Sequence, residues 1–360
     1  MAELSEKQLL LLDNYMYITG STNERNVGKN VDNLLKSGIT DKSVSGGITP
    51  EQAQAILNEV KADPVLCNMR VEASIDTDGV RAACFVDKNG DATVAFRGTG
   101  GSYEAWSDNV QGGYSVETEC QKVARNFIEN NCSQYNNITV TGHSKGGNMA
   151  QYCTYTCGNK IDRCISYDGQ GVSNSALAKD GALIGQNRGK IKSICCDEDY
   201  VNVMLNSIAG ETVYLKTQEG ANAHSSWELY LNNKNDIDEN GKFTKQVSQS
   251  DFSKKEDKIL DWITDNLDNV PSDIKKDIYD LIASDVGLLF AITSKKMSLD
   301  TFMQFMEEYY GARSGIDPFV GFRTVEKWIS NYAAVYNRVR NYFKKQDSGK
   351  KKQISAAGYG

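Results

Sequence analysis

The chain has 360 residues, of which 40% are hydrophobic and 24% charged. That is enough for one sizeable α/β domain plus a smaller second unit. A formal net charge of −7 and a pI near 5.1 argue against a nucleic-acid partner. All nine cysteines lie between Cys67 and Cys196. An odd count inside apolar segments reads as small core residues in a reducing compartment, not as a disulfide framework. Cys153 and Cys157 are one helical turn apart, but two histidines in the whole chain leave little for a zinc site.

Met1-Ala-Glu-Leu-Ser-Glu-Lys7 has no basic region followed by an apolar core, and the apolar run at Val286–Ile292 is too short for a bilayer. The expectation is a cytoplasmic protein, with leaderless secretion still open. Residues 1–60 read as helical. Leu4, Leu9, Leu10, Leu11 and Tyr15 share one amphipathic stretch, and Thr49-Pro50-Glu51 caps a helix through Val60.

Three strands follow, Met69–Ile75, Val80–Val86 and Ala92–Phe96. The tips Asp76-Thr-Asp-Gly79 and Asp87-Lys-Asn-Gly-Asp91 predict consecutive antiparallel hairpins. Then α and β segments alternate. Glu117–Asn130 predicts a helix, Ile138–Thr141 a buried strand, Lys145–Cys157 a helix and Cys164–Tyr167 a strand. Asn174–Lys179 (helix), Lys190–Cys195 and Thr212–Leu215 (strands) and Trp227–Leu231 (helix) complete the series. That order predicts an α/β domain with a mainly parallel sheet over 1–235.

Beyond it, 236–360 reads as a helical C-terminal region, with Tyr332, Val335, Tyr336, Val339 and Tyr342 as an apolar stripe. Such a region suits a helical protein partner or an export module. Its lysine pairs read as a solvated tail. Asp236-Ile-Asp-Glu-Asn-Gly241 matches the first half of an EF-hand loop, but Val247 stands where a bidentate Glu is needed. A hairpin-like turn is expected there.

The chemistry centres on Gly142-His-Ser-Lys-Gly146, a G-x-S-x-G elbow with a strand before it and a helix after it. Ser144 is the candidate nucleophile. A base able to take its proton near neutral pH must be a histidine. His143 adjoins the serine, and its side chain should diverge, which leaves His224, on a loop after the last strand. The orienting acid should follow a strand between them, and Asp197, Asp199 and Asp168 all qualify by position. An oxyanion hole needs two N–H groups. Lys145, immediately after the serine, supplies one. Thr99, in Arg97-Gly98-Thr99 after the earlier strand, supplies the other.

Together, Phe96-Arg-Gly-Thr99, Gly142-His-Ser-Lys-Gly146, Asp199-Tyr-Val201 and His224 resemble the class 3 (fungal-type) lipases of the α/β-hydrolase fold. They are most similar to a bacterial branch with a Gly-His-Ser-Lys-Gly-Gly-Asn elbow. The resemblance covers residues 65–232. It implies that Asp199 is the acid, because the family's acid sits in an Asp-hydrophobic-Val turn; Asn202 stands where the family carries a proline. It also implies a lid at Ser102–Gln111 with Trp106. A carboxylic ester or lipid substrate, contact with a lipid surface and a reaction needing no metal or organic cofactor follow from it as well.

Overall fold

The computed structural model describes residues 3–34, 48–77, 79–99, 108–109, 111–113, 115–199, 201–218, 222–251 and 253–254. All of these lie within one compact unit, Met1–Leu260. Most of the lid candidate Ser102–Gln111, including Trp106, and the expected C-terminal helices and aromatic stripe lie outside the described residues.

The element order is α1 (Glu6–Tyr15), α2 (Pro50–Ala62), β1 (Arg70–Asp76), β2 (Arg81–Val86), β3 (Ala92–Phe96), α3 (Glu119–Asn131), β4 (Ile138–His143) and α4 (Lys145–Cys157), then β5 (Arg163–Tyr167), α5 (Asn174–Asn187), β6 (Ile191–Cys196), β7 (Glu211–Leu215) and α6 (Ser226–Asn233). The seven strands form one sheet in sequential order. β1, β2 and β3 pair antiparallel through the two predicted hairpins. From β3 to β7 every pair is parallel. This is an α/β architecture.

Sequential parallel order has a physical consequence. Right-handed crossovers that always step the same way put their helices on one face of the sheet. α3, α4 and α5 do so. Phe127, Ile128, Met149, Tyr152, Ala176 and Ile184 pack there with Cys84, Val94, Phe96 and Val140. The opposite face, lined by Ala83, Phe85, Ala95 and Ile165, is covered by helices from outside the crossover series: α1 and α2 before the sheet and α6 after it. The alternation is visible within β2, where Ala83 and Phe85 face one core and Ala82, Cys84 and Val86 the other.

α1 starts at a capping box, Ser5 with Gln8, worth about 1 kcal/mol. Leu9, Leu10, Leu11 and Leu12 are completely buried, each contributing roughly 1.5–3 kcal/mol of burial. Asp13 and Asn14 are buried as well, so the C-terminal half of α1 is enclosed all round instead of amphipathic as its pattern suggested. α2 begins at the Thr49-Pro50 cap as expected. α5 runs eight residues past the predicted Lys179, to Asn187. Gly181 and Gly185 weaken its local signal, and buried Ala176 and Ile184 hold it to the sheet.

After α6 the chain stays with this unit. The Lys7 N–H donates to the Gly241 carbonyl at 2.9 Å, and Phe243 enters the core. Asp236–Gly241 is a hairpin-like turn. Asp238 Oδ1 accepts from the N–H groups of Asn240 and Lys242, both at 2.9 Å. None of the nine cysteines is paired, and seven are buried. Among the described residues no helix is long and apolar enough to cross a membrane.

Candidate active site

Parallel pairing of β3 with β4 sets Phe96 beside Gly142, so the chain leaves both strands at the same edge. β4 turns into α4 at Ser144, whose φ of 60° and ψ of −127° lie outside the regions that L-residues favour. The turn needs its glycines. A Cβ on Gly142 would strike the Gly146 backbone, one on Gly146 would strike the Phe96 carbonyl, and one on Gly147 would strike Ser166 Oγ. The Ser144 N–H donates to the Tyr167 carbonyl at 2.9 Å, tying the elbow to β5. Ser144 Oγ therefore sits at the N-terminal end of α4, where the helix dipole favours negative charge.

His224 enters from the β7–α6 loop. Its Nε2 lies 2.8 Å from Ser144 Oγ, and its Nδ1 lies 2.8 Å from Asp199 Oδ1. Asp199 accepts only, so Nδ1 carries the proton and Nε2 is free to accept the serine hydroxyl. The other Asp199 oxygen, Oδ2, accepts three N–H groups: Val201 N at 3.1 Å, Asn202 N at 2.8 Å and Asn202 Nδ2 at 3.0 Å. Asn202 thus donates twice to Asp199.

The two other acids are engaged elsewhere. Asp197 receives the Lys216 ammonium at 2.9 Å and the Thr217 N–H at 2.8 Å. Asp168, at φ 47°, accepts the Cys196 N–H at 2.7 Å. Burial, reinforced by the negative charge of Asp199, pushes its carboxyl well above the usual range.

Thr99 lies in the loop after β3, where Gly98 runs against the elbow. A Cβ on Gly98 would come within 2.7 Å of the His143 carbonyl and 3.1 Å of Ser144 Cβ. Thr99 Oγ1 accepts from Asn109 Nδ2 at 2.9 Å. Lys145 follows the serine as the first residue of α4. A cation there opposes the helix dipole, and this one is also buried. Its ammonium pairs with Asp108 Oδ2 at 3.1 Å and contacts Cys120 Sγ at 3.2 Å. Asp108 in turn accepts from Thr118 Oγ1 at 2.8 Å and the Cys120 N–H at 2.9 Å. Burial first of all pushes the Cys120 thiol up to about 11.

His143 points away from the serine toward Tyr17, whose hydroxyl is 2.7 Å from Nδ1. Burial, then the neighbouring His224, hold it well below the usual histidine range. Sequence reasoning missed Tyr17, Asp108, Asn109 and Asn202. Asp108 and Asn109 are neighbours within the Ser102–Gln111 segment and Tyr17 comes from the exit of α1, with no local motif to announce their contacts. Asn202 could have been weighed as a donor, since its amide carries two N–H groups and lies three residues after the acid.

A search of curated proteins finds no match for the chain. A family model described as Mbeg1-like, a lipase-like family related to the class 3 lipases, matches residues 67–281, more than half of the chain and the span that holds the elbow, the acid turn and His224. The protein belongs to the Mbeg1-like family.

Proposed function

We propose that this protein is a serine hydrolase of carboxylic esters, of the lipase, phospholipase or esterase kind, in which Ser144, His224 and Asp199 form the triad. The observation that carries the reading is the unbroken hydrogen-bonded line from Ser144 Oγ through His224 to buried Asp199. It hangs on a serine held at positive φ. Membership of a lipase-like family supports the same chemistry.

Ser144 Oγ attacks the acyl carbonyl while its proton passes to His224 Nε2. Asp199 holds the ring in the required tautomer and stabilises the imidazolium. The negative charge that develops on the carbonyl oxygen is met by the backbone N–H groups of Lys145 and Thr99. Each such donor is typically worth 100- to 1,000-fold in rate, roughly 2.7–4 kcal/mol. Collapse expels the alcohol, which takes its proton from His224. Water, deprotonated by the same nitrogen, then attacks the acyl-enzyme, and as the acid leaves His224 returns that proton to Ser144 Oγ. The residues supply every proton transfer that this sequence requires.

The test is turnover of a panel of p-nitrophenyl esters and phospholipids, with Ser144→Ala as control. The reading expects hydrolysis that falls by several orders of magnitude in the variant, about 10⁴-fold or more. Equal turnover by Ser144→Ala would refute it.

A further inference from the structure

The polar residues of α1 and its exit are spent on the elements that carry the proposed reacting groups. Asp13 Oδ2 accepts from Thr141 Oγ1 at 2.8 Å, on β4 three residues before the serine. Asn14 pairs with Ser226, two residues after His224. Its Oδ1 accepts from Ser226 Oγ at 2.9 Å, and its Nδ2 donates to the Ser226 carbonyl at 3.3 Å. Tyr17 meets His143 Nδ1 at 2.7 Å, and its hydroxyl occupies the space in which a side chain on Gly98 would start. The Gly98 N–H is directed at the same oxygen. All these groups are buried.

The Tyr17 hydroxyl and His143 Nδ1 share one proton between them, whichever of the two carries it. The His143 ring lies against the His224 ring, with centroids 4.8 Å apart and planes tilted by 36°. The base therefore rests on a ring whose position is set from the exit of α1.

We infer that Tyr17 and Asn14 are positioning residues for His224. Tyr17 fixes the His143 ring against which His224 packs, and Asn14 holds the chain just after His224 through Ser226. This inference rests on the hydrolase reading. It adds an element to it, because α1 lies upstream of the span that the family model matches.

The experiment uses the full chain with Tyr17→Phe and Ser226→Ala, folding being checked by circular dichroism and urea unfolding. Tyr17→Phe keeps the ring and removes one hydroxyl, so the core is preserved. It is expected to lower kcat on a short p-nitrophenyl ester about 10- to 100-fold, the scale of a misplaced reacting group, with KM unchanged. The rate at which a fluorophosphonate labels Ser144 should fall by the same factor, since that step needs the same base. Ser226→Ala should lower both rates less, and Ser226→Thr, which restores the hydroxyl, should recover them. A purely structural role would lower the urea midpoint while folded enzyme kept its kcat and labelling rate, and that result overturns the inference. A wild-type chain that neither turns over esters nor labels overturns the hydrolase reading, and the inference with it. A wild type that labels beside an equally fast Tyr17→Phe overturns the inference alone.

Discussion

The turns after β5 and β6 each hold an aspartate with no exposed surface, Asp168 and Asp199, yet their hydrogen-bonding surroundings differ. Asp199 faces three N–H donors and the His224 ring, the surroundings of a carboxylate. Asp168 receives one backbone N–H with the Asn202 amide beside it, and its Oδ2 has no hydrogen-bond partner among the described residues. Burial, then the charge of Asp199, push its carboxyl well above the usual range. Type and burial are the same; the number of donors differs. What makes a buried acid useful to an imidazole is therefore the loop after it, here Val201-Asn202, and not its position at a strand end.

The largest effect should come from Asp199→Asn. The variant keeps the shape but presents an N–H to Nδ1 and disfavours the working tautomer, so kcat on a p-nitrophenyl ester should fall about 10⁴-fold. If Asp168→Asn produced that loss and Asp199→Asn did not, the two roles would be reversed. Next comes a third carboxylate, Asp108, which is held by an ammonium. Lys145→Met would leave it buried and unpaired, at a cost of about 3–5 kcal/mol in stability by urea unfolding. Adding Asp108→Leu should recover part of that cost. An unchanged midpoint in the single variant would mean that the pair is not held in solution.

Asn202→Ala should lower kcat about tenfold, the scale of one hydrogen bond to a charged group, by removing the side-chain donor while the backbone donors stay. A value equal to wild type would place the whole burden on the two backbone N–H groups. The smallest kinetic effect belongs to Asp168→Asn, with kcat close to wild type. Its signature is in stability against pH. An aspartate in the unfolded chain titrates near about pH 3.9, whereas the Asp168 carboxyl in the folded protein titrates well above that. Between those values the folded state holds more protons than the unfolded one, so wild-type stability falls as pH rises through that window. Asparagine does not titrate. The Tm advantage of Asp168→Asn should therefore grow as pH rises above about 4, and a gap independent of pH would contradict the assignment. Asp13, also pushed up by burial, contributes a background of the same sign to both proteins.

Much of the fold was legible because its signals are local. Asp-Gly and Asn-Gly tips mark the hairpins, and β-branched runs mark the parallel strands. The elbow is partly legible for the same reason, since Gly142 is demanded by the Gly146 backbone four residues on, whereas Gly146 is demanded by Phe96 at the end of β3. Three candidate acids followed from position alone, and only the resemblance favoured Asp199. The donors that distinguish it are backbone groups, which any sequence would provide, and one asparagine. Tyr17, Asn14 and the Asp108–Lys145 pair are long-range contacts. The first two exist because sequential strand order leaves one sheet face for α1 to cover, a topology that appears only when all seven strands are laid out; the third joins the segment after β3 to the start of α4.

The central claim is that His224 and Asp199 activate Ser144 for attack. Peptide mass mapping of the folded chain after brief exposure to a fluorophosphonate tests it most directly. The account predicts one phosphonyl adduct, on Ser144, lost on prior unfolding and strongly slowed in His224→Ala. No adduct on the folded chain, or labelling of Ser144 just as fast in His224→Ala, would contradict it.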